Sequence, residues 1–242
     1  MSHGEALLCF RPQARARVRL VAFPWAGSSA AGLRPLADAL HKAGASIELH
    51  AVAYAARAHR RHAPLPRSLD DVVDDLLPAI DALAPPLALY GHSFGAVVAF
   101  FVAQRLAMRA RPPTQLVAAA RVAPSVPAGS VPVDDDALLA LLAGHGLIDG
   151  ALFHDAEARA LLLPPLRCDL RLSQQVRCAD VIDVPITALR GSNDSSVDAA
   201  GVTRWRDHTR AAFAERAVDG GHLFVRDQPT AVGHLLSQVL QP

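Results

Sequence analysis

From Pro86 to Ala103 the chain is apolar almost throughout, and the interruption is Gly91-His92-Ser93-Phe94-Gly95. The run before it, Pro86-Leu87-Ala88-Leu89-Tyr90, reads as a short strand buried on both faces. The run after it, Ala96 to Ala103, reads as a buried helix. A chain that passes from buried strand to buried helix in so few residues must turn very sharply, and few folds allow that. Glycines on the flanks keep Cβ atoms out of the turn, and Ser93 at its apex lifts its Oγ above the sheet. This G-x-S-x-G arrangement is a nucleophile elbow. The helix behind it offers N–H groups and a positive dipole end to a developing oxyanion. Taken alone the five-residue pattern is weak, because Gly and Ser are common everywhere. Its setting between strand and helix strengthens it.

The rest of the chain repeats the same alternation, as a mostly parallel sheet with crossover helices requires. Val18 to Phe23 is a strand ending at Pro24-Trp25-Ala26-Gly27, and Leu33 to Ala43 has helical spacing and stops at Gly44. Ile47 to Tyr54 alternates as a second strand. Ser68-Leu69-Asp70-Asp71 resembles a capping box, opening a helix whose apolar face is Leu69, Val72, Val73, Leu76, Leu77 and Ile80. After the elbow come strands at Leu116–Ala120, Pro185–Arg190 and Glu215–Val218, a helix from Ala199 to Thr209 and a closing helix from Thr230 to Leu240. Between Ser125 and Asp180 the leucines cluster helically and no strand is evident. An insertion of this kind, 125–180, is expected to form a helical lid.

A length of 242 residues suits one α/β domain, 1–242, with the lid inside it. The net charge of +1 gives no electrostatic case for nucleic acid or a membrane surface, and no apolar run reaches the length of a membrane helix. The first residues lack a basic stretch followed by an apolar one, so no secretory signal is read there. Cys9, Cys168 and Cys178 make no framework and are expected as thiols, which sets a cytoplasmic location as the default.

A serine hydroxyl is a poor nucleophile until a base takes its proton, and the base needs an acid to hold it in the right tautomer. In folds with this elbow the order is Ser, then Asp or Glu, then His. Of the 11 histidines, His3, His41, His50, His59 and His62 precede Ser93, and His92 lies within the elbow. His145, His154, His208 and His234 fall on expected lid or helix segments. His222, in Gly220-Gly221-His222 after the last expected strand, lies at the carboxyl edge of the sheet and is the expected base. For the acid, Gly191-Ser192-Asn193-Asp194 follows a strand end and favours Asp194. Asp198 is the rival, but its place before a helical pattern suits an N-cap. The N–H of Phe94 and one from the loop at Ala26 or Trp25 are expected to form the oxyanion hole, with Trp25 beside the acyl pocket.

With these residues in place the chain resembles the type II thioesterases, stand-alone α/β-hydrolases that accompany polyketide synthases and nonribosomal peptide synthetases. The resemblance runs from about Leu20 to Val239. Its landmarks are Phe23-Pro24-Trp25-Ala26-Gly27, Gly91-His92-Ser93-Phe94-Gly95, Leu163-Pro164-Pro165-Leu166-Arg167-Cys168-Asp169, Trp205-Arg206-Asp207-His208-Thr209 and Gly220-Gly221-His222-Leu223-Phe224. It implies an α/β-hydrolase fold and hydrolysis of acyl groups from the phosphopantetheine arm of acyl or peptidyl carrier proteins. Ser93 would be the nucleophile, His222 the base, Asp194 the acid, and Ala26 and Phe94 the oxyanion donors. No metal or cofactor is implied, since the pantetheine belongs to the substrate. The chain departs from the family in two places: Trp25 stands where histidine is usual, and Tyr54-Ala55-Ala56-Arg57 replaces Y-P-G-R. A triad does not choose its leaving group, so a general carboxylesterase or acyltransferase is the alternative within enzymes. A carrier-protein-binding module without hydrolysis is the alternative outside them. The basic stretch Arg57, His59, Arg60, Arg61, His62 and Arg67 is read as a solvated loop before a carrier-docking surface.

Overall fold

The computed structural model describes residues 6–132, 134–144, 146, 148 and 155–240, so His3, His145 and His154 lie outside the described residues, as does part of the 125–180 insertion. Its strands are β1 (Leu7–Cys9), β2 (Val18–Phe23), β3 (Ile47–Val52), β4 (Leu87–His92), β5 (Gln115–Ala119), β6 (Ile186–Gly191) and β7 (Phe213–Val218). They form one sheet in the order β1-β3-β2-β4-β5-β6-β7, antiparallel only where β1 meets β3. The helices are α1 (Arg34–Lys42), α2 (Leu69–Asp81), α3 (Phe94–Met108), α4 (Asp135–Gly144), α5 (Ala156–Gln175), α6 (Ala199–Thr203), α7 (Phe224–Asp227) and α8 (Pro229–Val239).

Strand residues alternate between two cores, which is why the central strands read as unbroken apolar runs. Val21, Phe23, Leu89, Leu116 and Ala118 face a core shared with α2 and α3. Leu20, Ala22, Ala88, Tyr90, Val117 and Ala119 face the other, shared with α1 and α8. The α2 start carries the capping box expected from the sequence: Ser68 Oγ accepts from the Asp71 N–H at 3.1 Å, and the Asp71 carboxylate accepts from the Ser68 N–H at 3.2 Å. The helix expected over Ala199–Thr209 is shorter and tighter. After α6 it becomes a 3-10 turn, Arg204–His208, in which Trp205 and His208 are buried.

Between β5 and β6 the described residues hold α4 and α5. Leu138, Leu139 and Leu142 of α4 pack on Leu163 and Leu166 of α5 in a small third core, which Ala26 joins from the loop after β2. Among the described residues no helix is long and apolar enough to cross a membrane. Cys9, Cys168 and Cys178 are free thiols. The basic stretch is partly consumed internally, because Arg57 is buried against Asp169 and Arg60 forms a two-pronged bond to Asp75.

Candidate active site

Four parallel strands end at the same edge of the sheet, and each hands one piece of chemistry to the loop beyond it. β4 turns into α3 through Ser93, whose backbone sits at φ 55°, ψ −115°. That strained conformation is held because neither flank has room to relax. A Cβ on Gly91 would lie 2.2 Å from the Gly95 carbonyl oxygen, and one on Gly95 would lie 2.1 Å from that of Phe23. The glycines of the elbow are therefore required by backbone packing on backbone.

The loops after β6 and β7 are stitched together in the same manner. A Cβ on Gly191 would lie 2.6 Å from the carbonyl oxygens of both Gly220 and Gly221. Ser192 N–H donates to Val218, and Asn193 N–H donates to Gly220. This brings Asp194 to His222. Nδ1–H of His222 donates to Asp194 Oδ2 at 2.8 Å, and Nε2 lies 3.0 Å from Ser93 Oγ. With Nδ1 protonated, Nε2 is free to accept the serine proton. Ser196 adds two donors to Asp194 Oδ1, its N–H at 3.0 Å and its Oγ–H at 2.6 Å, while that Oγ lies 3.0 Å from His222 Nδ1. Burial alone would raise the Asp194 carboxyl, but the bond and charge of His222 and the Ser196 donors outweigh it and hold the group ionised below its ordinary value. Asp198 does not join them, because its carboxylate accepts from the Gly201 N–H at 2.9 Å and caps α6.

Phe94 is the first residue of α3, so its N–H has no carbonyl one turn back to bind. Among the described residues no acceptor takes the N–H of Phe94 or that of Ala26. Trp25 turns its ring inward. It is 9% exposed, meets the His92 ring edge-on at 5.9 Å between centroids, and packs where a Cβ on Gly32 would come within 2.8 Å of it. Its ring joins the core shared with α1 and α8.

His92 is the residue whose part the sequence does not disclose. Fully buried, it donates from Nε2 to the His222 carbonyl at 2.7 Å, and its Nδ1 accepts from the Tyr90 hydroxyl at 3.1 Å. Phe224 and Trp25 close on its ring. Burial first, and then the charge of His222, push its imidazole down to about 3, so it is neutral. A histidine in the elbow thus fixes the backbone of the histidine that faces Ser93. The one local signal is a polar ring inside an otherwise apolar strand end.

The thioesterase domain family matches residues 18–239 of this chain. Thioesterase PikA5 of Streptomyces venezuelae is 33% identical over 226 residues, covering 90% of this chain and 79% of that protein. Phenyloxazoline synthase MbtB of Mycobacterium tuberculosis is 34% identical over 223 residues, and the chain spans 16% of the length of that much larger protein. Among solved structures, the type II thioesterase BorB from the borrelidin biosynthetic cluster superimposes with a TM-score of 0.85 at 29% identity, covering 97% of each chain. The type II thioesterase YbtT of the yersiniabactin pathway shares the fold, with a TM-score of 0.88 at 24% identity over 96% of this chain and 97% of its own. The chain belongs to the thioesterase family of α/β-hydrolases, and its likeness to the type II members covers nearly its whole length.

Proposed function

We propose that this chain is a serine thioesterase that hydrolyses acyl groups from the phosphopantetheine arm of acyl or peptidyl carrier proteins, removing aberrant or stalled chains. The observation that carries the reading is the continuous relay from Ser93 Oγ through His222 to Asp194 within a thioesterase fold. In the first step His222 Nε2 takes the Ser93 proton as Oγ attacks the thioester carbonyl. The Ala26 and Phe94 N–H groups receive the oxyanion. Collapse of the tetrahedral species breaks the C–S bond, and His222 returns its proton to the pantetheine sulfur. In the second step His222 deprotonates water, which attacks the acyl-serine, and Ser93 recovers its proton. Asp194 steadies the imidazolium in both steps. Residues 125–180 serve as the lid over the acyl group, and Trp25 shapes the acyl pocket beside the oxyanion loop. The likeness to the type II thioesterase BorB of a biosynthetic cluster supports the carrier as substrate.

Ser93→Ala or His222→Ala is expected to lower turnover of acyl-carrier thioesters by about 10⁴-fold or more, and Asp194→Asn by a similar factor. Asp198→Asn keeps the α6 cap and should leave turnover unchanged. A fluorophosphonate probe should label the native protein and not Ser93→Ala. Absence of labelling in the native protein would leave a binding module as the reading, and faster cleavage of simple esters than of acyl-pantetheine would make it a carboxylesterase.

A further inference from the structure

Asp169 is 1% exposed, yet it is charged and belongs to α5, a helix of the insertion rather than of the sheet. Its partner Arg57, 7% exposed, comes from the loop after β3. The two meet in a two-pronged pair, Nη1 to Oδ2 at 2.6 Å and Nη2 to Oδ1 at 2.8 Å. Oδ2 also accepts the backbone N–H of Gly27 at 2.9 Å. A buried ion pair of this kind adds little net stability over well-packed apolar side chains, so its presence calls for a use of its directed bonds.

We propose that Asp169 and Arg57 are positioning residues for the oxyanion loop: they fix the peptide next to the Ala26 N–H and leave that N–H free for the substrate. The inference rests on the function proposed above. Four neighbouring backbone groups are already tied. Pro24 carbonyl accepts from the Tyr54 hydroxyl at 3.3 Å, Trp25 carbonyl from Ser28 N–H, and Ser28 carbonyl from Arg57 Nη1 at 3.3 Å, while Gly27 N–H goes to Asp169. Ala26 N–H is left without an acceptor among the described residues. Gly27 itself is held at φ +74°, and Leu166, one turn before Asp169 on α5, presses on it so closely that a Cβ there would sit 3.0 Å from Leu166 Cδ1. One helix face therefore delivers both a directed acceptor and an apolar press to the same residue.

The charges have opposite effects on the chemistry. A lone carboxylate beside the loop would oppose a negative oxyanion, and the Arg57 guanidinium cancels it while leaving the acceptor geometry in place. Losing the acceptor should misplace Ala26 N–H and cost on the order of tenfold to a hundredfold in kcat, with KM nearly unchanged. Arg57→Met, which keeps the acceptor but strands the carboxylate beside the oxyanion, should lower kcat as well.

The test separates positioning from folding. A trifluoromethyl ketone analogue of the acyl-pantetheine substrate forms a hemiketal oxyanion on Ser93, whereas the matching thioether analogue binds without one. Asp169→Ala, which removes the acceptor, and the double variant Arg57→Met/Asp169→Leu, which fills the space without charge, should both lose ketone affinity in step with kcat. Both should keep thioether affinity. Equal ketone affinity in either folded variant would overturn the inference. In the native protein, the Gly27 N–H should resist hydrogen exchange as strongly as the core strands, and rapid exchange there would overturn it as well. If the native protein neither binds the ketone covalently nor hydrolyses thioesters, the proposed function fails first, and that result is distinct from a failure of Asp169 alone.

Discussion

At the scale of single residues, the loop before Arg57 carries the cost of a substitution. Ala56 lies at φ 61°, in the left-handed region, where the type II thioesterases usually have the glycine of Y-P-G-R. A Cβ in that conformation costs about 1–2 kcal/mol. Ala56→Gly should therefore raise stability by about 1 kcal/mol, read as a higher denaturation midpoint at unchanged denaturant sensitivity, and leave turnover intact. A lower midpoint would mean that the loop does not hold this backbone. The residues of the site differ in how far they can be read from sequence. Ser93, Asp194 and His222 each sit in a local pattern, glycine-flanked or at a strand end, that marks a tight turn at the sheet edge. His92 bonds the carbonyl of a residue 130 positions away, and Asp169 reaches Gly27 across 142. Nothing in the neighbours of either residue encodes such a partner, since both contacts exist only after the strands have assembled.

At the scale of elements, the stretch Trp205–His208 holds the ends of the insertion. His208, buried, donates from Nδ1 to the Asp180 carbonyl at 2.8 Å and accepts at Nε2 from the Ser125 hydroxyl at 2.9 Å. Trp205 Nε1–H donates to the Arg121 carbonyl at 2.9 Å. One ring thus joins the two positions, Ser125 and Asp180, between which α4 and α5 are inserted. His208→Ala removes two hydrogen bonds made by a buried ring, at a cost of about 1–3 kcal/mol. Proteolysis should then cut preferentially within 125–180, while fluorophosphonate labelling of Ser93 persists; uniform fragmentation would place the damage in the sheet instead. The buried strands are legible in the sequence because both faces are covered, which leaves apolar runs. β1 is not, being three half-buried residues with no period to detect. The 3-10 turn reads as more helix because Trp205 and His208 keep the apolar spacing while the backbone tightens.

At the scale of the whole molecule, the site ties the two faces of the sheet together, and the tie should be visible as a pH dependence of folding. His92 belongs with Trp25, Tyr90 and Phe224 on the α1–α8 side, while Phe94, a residue after Ser93, packs on the α2–α3 side. The His92 imidazole is depressed to about 3 in the fold and titrates near 6.5 when unfolded. Between those values the unfolded chain binds a proton at His92 that the folded chain does not. Stability from this group is therefore complete above pH 6.5 and declines as pH falls, by at most about 1.4 kcal/mol per unit. Asp194, depressed as well, acts with the same sign at lower pH, since its contribution is lost as pH falls through its folded value. Denaturant titrations from pH 7.5 to 4.5 should show this slope in the native protein. His92→Gln can still donate to the His222 carbonyl and accept from Tyr90 but does not titrate, so its slope should be shallower over the same range. Its turnover should fall far less than that of His222→Ala, because the ring it replaces holds the base in place without touching the substrate. Identical slopes would mean that His92 takes up its proton inside the fold, with Nδ1 then donating to the Tyr90 hydroxyl instead of accepting from it.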